Sequence, residues 1–460
     1  MRTWQAIQRT AVSFLLFLLL AATPLPRHWT LIRRQLPGVY YEFSSLNFYV
    51  SDGLVLLLLL TAAPRKYSSS PTVSRWWATL LAGLVVWTAV SITWTFDLSI
   101  TALFSIRLLL LGALALVIMH WQPDRRWLVW GVAGMLVVQT AVALTQFIIQ
   151  DDLGLRWLGE LDLHRYPGGG SILAAGGAYF LRAYGLTPHP NILGGFLASG
   201  ILTLTAVILT PNQNSACRLL LSALIISAGA ALLLTFSRSA WLGMAVGGVY
   251  FLVIFLLNGS WRWGKRPLLF LFIGGGMTLA GLAFSQRALL FNRAAPAANT
   301  LEARAVNERA ALNQLAWELL PLAPLTGVGA SVQNVTIIPL AAQLNGVAPQ
   351  PAHNVPLLLL AELGPVGALL WLALMLLPPV WTAVHLSRRP ALLNPSRLWL
   401  LGLTAALVAA AVIDLFDYYM WGWPQGRLLR WLLWGMWGAA IYQPSTQNEL
   451  SDSSLLPQYR

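Results

Sequence analysis

Cysteine and charge are what this chain has least of. One cysteine, Cys217, stands among 460 residues, which excludes an internal disulfide and any multi-thiolate metal centre. Charged residues make up 10% of the sequence, against about 25% in an ordinary soluble domain. Acids are the scarcer sign, 16 against 29 lysines and arginines, for a net charge of +13. With 57% hydrophobic residues there is too little polar surface to cover a water-soluble core, so lipid is the expected solvent. The positive balance then reads as a positive-inside bias rather than as a nucleic-acid footprint, and no nucleic-acid partner is expected. Motifs are missing too. There is no HExxH, no Cys/His cluster, no Walker loop and no GxGxxG after a strand, so neither a metal nor a cofactor is expected. The glycine runs 167–170 and 274–276 lack the lysine and strand that phosphate loops require, and Asp151-Asp152 has no third carboxylate nearby.

What is abundant are long apolar runs. A spanning helix takes about 20 such residues, and about twelve runs qualify. They are 10–25, 46–63, 77–95, 98–120, 127–149, 189–210, 219–236, 239–257, 268–285, 355–381, 398–416 and 427–442. The first follows a basic start and is expected to be a retained helix rather than a cleaved leader. The 22 tryptophans suit anchors at the membrane–water boundary. The expected fold is therefore all-α: residues 1–443 as one transmembrane domain, with 444–460 as a disordered cytoplasmic tail. Arg65, Lys66, Arg125, Arg126, Arg262, Lys265, Arg388 and Arg389 fall in short connections with few acids, which predicts that those connections and both termini are cytoplasmic.

Two connections on the opposite, extracytoplasmic side, 150–188 and 286–354, are too long to be turns. The second contains a helical pattern over Glu302–Leu320 that ends before Pro321, read as a lid or platform on the membrane surface. Asp52, Arg107 and Glu362 are the ionisable residues read inside spans; Asp52 and Arg107 share a depth and have opposite signs, so they are expected to pair. The charges of Asp414, Arg427 and Arg430 are assigned to the extracytoplasmic side.

Three short segments on that side carry chemistry. Arg182 to Asn191 (RAYGLTPHPN) bends into a span, with Asn191 as helix cap and Arg182 and His189 beside it, a ready anion site. Arg238 occupies a turn so short that its guanidinium must stay near the membrane surface, where it suits phosphate oxygens. His353-Asn354 stands where the large loop re-enters the membrane. Its imidazole can accept a proton, while Asn354 can fix the ring tautomer or hold a sugar hydroxyl.

Four stretches in this order resemble the O-antigen ligase superfamily of membrane glycan transferases, which includes O-antigen ligases, O-antigen polymerases and bacterial O-linked oligosaccharyltransferases. They are RAYGLTPHPNILGGFLA (Arg182–Ala198), LLLTFSRSAWLG (Leu232–Gly243), PLTGVGASV (Pro324–Val332) and AHNVPLLLLAELGPVGAL (Ala352–Leu369). The resemblance implies a multi-pass protein of the bacterial inner membrane. It would move a glycan from a polyprenyl-pyrophosphate donor to a hydroxyl of a lipid, protein or glycan acceptor on the extracytoplasmic face, without metal and with inversion. It also implies pyrophosphate binding by Arg182 and Arg238 and a catalytic base in His353; beside these, the placement of His189, Asn191, Asn354 and, on the lid helix, Arg309 makes them the expected further substrate contacts. A polymerase joining repeat units on the carrier is the alternative within the superfamily, and a polysaccharide transporter or flippase the alternative outside it.

Overall fold

The computed structural model describes residues 2–62, 72–165, 170–211, 213–258, 261–294, 301–341, 348–387 and 394–441. The expected tail 444–460 lies outside them.

The long helices are α1 (Arg2–Ala22), α2 (Val50–Thr61), α3 (Thr72–Val90), α4 (Leu98–Trp121), α5 (Arg125–Ile149), α6 (Pro190–Ile208), α7 (Ser215–Leu234) and α8 (Arg238–Leu257), followed by α9 (Gly264–Ser285). The large connection holds α10 (Arg287–Ala294) and α11 (Leu301–Leu319). The bundle closes with α12 (Val355–Ser387), α13 (Pro395–Asp414) and α14 (Pro424–Ile441). Among the described residues nine helices are long and apolar enough to cross a membrane. Two of the remaining expected spans are shorter apolar helices, Ile7–Ala22 and Val50–Thr61, and the last is α14, which carries two arginines. The chain is a multi-pass membrane protein.

The fold departs from all-α at two small antiparallel pairs. β1 (His28–Ile32) pairs with β2 (Leu46–Tyr49), so the segment expected as a span from residue 46 begins as strand and turns helical only at Val50. β3 (Ile172–Ala175) pairs with β4 (Ala178–Leu181) across Gly176-Gly177, whose φ values of 58° and 78° are those a two-residue hairpin turn requires. The backbone N–H of Arg182 prolongs this ladder to the carbonyl of Ser171.

Burial separates centre from periphery. Of the membrane-crossing stretch of α6, 89% is buried inside the protein, against 11% for α9. α13 packs along both α6 and α8, and α14 along α4. Small residues allow the closest of these contacts: Gly243 and Gly247 of α8 lie against the backbone of Ala409 and Ala405. Several tryptophans serve the core rather than the boundary. Trp77, Trp371, Trp421, Trp431, Trp434 and Trp437 are almost wholly buried, many of them edge-to-face with one another.

The charges sort themselves by partner. Arg107 meets Asp52 at 3.3 Å, as the shared depth predicts, and also donates to the carbonyl of Asn47. Asp414 and Arg430, counted from the sequence with the charges of the extracytoplasmic side rather than with those inside spans, lie inside α13 and α14 and form a buried ion pair. Lipid tolerates such groups only when they face each other.

α12 is broken at Gly364, which takes φ 65° and ψ −171°, followed by Pro365 with no N–H to give. The carbonyls freed there are capped by protein. Ala361 accepts from Val328 N, Glu362 from Gly329 N, and Leu363 from Trp87 Nε1 at 2.8 Å. The Pro324–Val332 motif is thus the patch that seals a helix break.

Candidate functional site

The site forms at one end of the bundle, where the starts of α6, α8 and α12 meet the end of α13. α5 sets the first piece. Gln139 and Gln146, seven residues apart and so on one helix face, are both buried. Gln139 Oε1 accepts from Leu186 N at 2.8 Å, and Gln146 Nε2 donates to Gly185 O at 3.0 Å, which pins the turn after Arg182. Two glutamines seven residues apart in an apolar run are the sequence signal of such a buried polar face.

Arg182 is buried, and its guanidinium is held from three directions. Nε donates to Thr235 O (2.7 Å), Nη1 to Ser171 Oγ (2.8 Å) and Nη2 to Asn191 Oδ1 (2.7 Å). The next carbonyl of the same turn, Phe236 O, accepts from Arg293 Nε at 3.0 Å, and Arg238 Nη1 reaches Arg293 O at 3.4 Å. The turn 235–238 therefore gathers three arginines, with Phe236 at φ 48° and Ser237 capping α8. Arg182 and Arg238, predicted to share a ligand, are brought to one turn. Arg293 was not anticipated.

Asn191 is not the helix cap expected of it. His189 caps α6 by accepting from Asn191 N at Nδ1 (3.1 Å), with Pro190 in the first turn. The Asn191 side chain instead links Arg182 to Asp417, donating from Nδ2 at 2.7 Å. Asp417 lies 4.0 Å from Arg309 Nη2 on α11, which places the helix of the large connection over the site. Asp417, like Arg293, carries no sequence signal for this role, since nothing local in Asp414-Leu-Phe-Asp417 separates the site carboxylate from the core one.

His353 stands on the far side, its ring edge-to-face with Tyr418 at 4.8 Å. Its Nδ1 is enclosed and has no hydrogen-bond partner among the described residues. Asn354 does not fix the tautomer: its Oδ1 caps Leu357 N (2.9 Å) and its Nδ2 donates to Leu415 O (3.1 Å), tying α12 to the end of α13.

The electrostatics follow from burial among like charges. Burial pushes the Arg182 guanidinium well below its ordinary range, and Arg293 adds to the effect. Burial does the same to His189, aided by Arg182 and Arg309. His353 is pushed by burial to about 4, with Asp417 pulling the other way. Both imidazoles are neutral at physiological pH, and His189 must carry its proton on Nε2 because Nδ1 accepts. Arg293 and Arg309 act on Arg182, and Arg309 on Arg238, as like charges, while among the described residues Asp417 is the carboxylate that acts on Arg182 and Arg309. That surplus favours an anion. Among the described residues no three His, Cys, Asp or Glu side chains gather closely enough to hold a metal ion.

A profile described as O-antigen ligase matches residues 219–372. The match takes in Arg238, Arg293, Arg309 and His353 and leaves out Arg182, His189, Asn191 and Asp417. Among curated proteins nothing matches the chain.

Proposed function

We propose that the chain, which matches the O-antigen ligase family over residues 219–372, acts as a member of that superfamily and transfers a glycan from a polyprenyl-pyrophosphate donor to an acceptor hydroxyl at the extracytoplasmic face of the bacterial inner membrane. The single observation that carries this reading is the surplus of guanidinium groups gathered round one turn opposite a neutral imidazole. Arg182 is already oriented by Thr235, Ser171 and Asn191, so it meets a diphosphate without reorganising. Arg238, half-exposed and held by one long hydrogen bond, closes onto the same group. His353 takes the proton of the acceptor hydroxyl as the oxygen attacks the anomeric carbon. The sugar–phosphate bond breaks with inversion, and the arginines receive the charge of the departing pyrophosphate. Asn191 acts through Arg182, and Arg309 adds a cation from α11 beside Asp417.

Purified protein given a lipid-pyrophosphate glycan and separate lipid, peptide and saccharide acceptors tests the reading directly. Carrier discharge with a glycosylated acceptor is expected. Arg182→Ala or Arg238→Ala should each lower the rate on the order of 10²–10³-fold, as loss of one charge-stabilising donor does elsewhere. Near-normal transfer in both variants would refute the assignment. Product on a lipid or protein acceptor marks a ligase, and product on a longer carrier-bound chain marks a polymerase.

A further inference from the structure

Beyond Tyr418 the aromatic wall of the site continues. Phe43 lies 6.2 Å from Tyr418 and 5.3 Å from Trp423, and Trp423 Nε1 reaches Tyr418 Oη at 3.4 Å. Phe43 and Trp423 also line a separate cavity of about 40 Å³, together with Glu42, Ser45, Arg107 and Arg427. A smaller cavity of about 20 Å³ shares Arg107 and Arg427 with it.

Arg427 is the anomaly here. It is 3% exposed, its guanidinium lies over Phe104 at 4.1 Å, and its Nη1 is enclosed with no hydrogen-bond partner. Among the described residues no carboxylate lies within ion-pair distance of it. The charges that act on it are Arg107, Asp52 and Glu362. Arg107 is of like sign, Asp52 is engaged with Arg107, and Glu362 accepts from Trp421 Nε1 at 2.9 Å. A buried guanidinium whose nearest opposite charges are engaged elsewhere is costly, and an anion entering the cavity beside it would offset that cost. Each water needs roughly 10–15 Å³ by this measure, so the cavity takes about three such groups. That suits the oxygens of a carboxylate or phosphate and excludes a sugar ring.

We propose that this cavity is the anion-binding end of an acceptor subsite for an anionic saccharide: Arg427 and Arg107 hold a carboxylate or phosphate substituent inside it, while the ring stays outside, on the side where Phe43 meets Tyr418 and Tyr418 meets His353. The acceptor class rests on the transferase reading above; the anion site itself does not.

Thermal unfolding of the full-length protein in detergent separates the two. Glucuronate and glucose 6-phosphate should raise the Tm of the wild type and of Arg182→Ala, whereas glucose should not, because a ligand stabilises only the state it binds. Arg427→Gln should abolish the shift. Leu103→Trp, at a half-buried wall position, should abolish it by filling the cavity while both arginines stay, which keeps the test open if Arg427→Gln fails to fold. In the transfer assay Leu103→Trp should raise KM for an anionic acceptor by about tenfold to a hundredfold and leave the donor KM unchanged. The subsite is overturned if glucose stabilises as well as the anionic sugars, or if both variants keep the shift. It is overturned equally if inorganic phosphate reproduces the whole effect, or if Arg182→Ala alone removes it. Anion-dependent stabilisation lost in Leu103→Trp, in a protein that transfers nothing, would support the subsite and refute the transferase.

Discussion

Three of the five N–H groups of Arg182 are already donated to Thr235, Ser171 and Asn191. The residue is therefore a fixed electrostatic element with spare donors, whereas Arg238 is the one free to adjust. His353 divides the labour differently. As a base it works deprotonated, and burial holds it neutral down to about pH 4. The acceptor kcat/KM, which reports the free enzyme, should be flat above roughly pH 5 and fall about tenfold per pH unit below pH 4. Asp417 favours the protonated ring, so Asp417→Asn should move that acidic limb to lower pH while its amide oxygen still accepts from Asn191. A limb near pH 6.5 in both proteins would place the titration on another group. The residue types of this site could be read from the sequence. Their partners could not, since Asn191 and Asp417 meet across 226 residues.

At the scale of elements, the broken helix α12 and the short β3–β4 hairpin do the positioning. Sequence periodicity marks 355–381 as one apolar run, because hydropathy is indifferent to whether residue 364 is helical. Gly364 at φ 65° and ψ −171° sits where only glycine is at ease, and an added Cβ there would meet the backbone of Leu325. Gly364→Ala should cost at least about 1–3 kcal/mol, seen as a lower Tm in detergent, with the loss of transfer exceeding the loss of folded protein. Unchanged Tm and activity would mean that the seal between Pro324–Val332 and α12 does not hold the end of the site. The break does not favour a transporter, whose unwound carbonyls face a substrate cavity; here Val328, Gly329 and Trp87 occupy them. The hairpin shows the same lesson in reverse. Gly176-Gly177 is the residue pair a tight turn takes, but four-residue strands beside long apolar runs carry too weak a pattern to make a hairpin of it from sequence.

For the whole molecule, orientation remains the premise on which an extracytoplasmic site stands. The helix ends bearing Arg182, Arg238 and His353 lie together, and the basic short connections lie on the opposite side of the chain's alternation. An alkaline phosphatase fused after Arg460 should be inactive, whereas one inserted in the connection 286–354 should be active. The reverse pattern would put the site in the cytoplasm. Hydrophobicity alone determined that the chain crosses the membrane repeatedly, because about 20 apolar residues in a row have no other stable solvent. Residue type and position, not hydrophobicity, marked the short segments around Arg182, Arg238 and His353. Tertiary structure alone decided the rest: which arginines share a turn, which carboxylate serves the site and which the core, and that tryptophans fill the centre. Those outcomes depend on contacts between residues far apart in the chain, and a buried charge finds its partner by packing, for which a linear pattern has no coordinate.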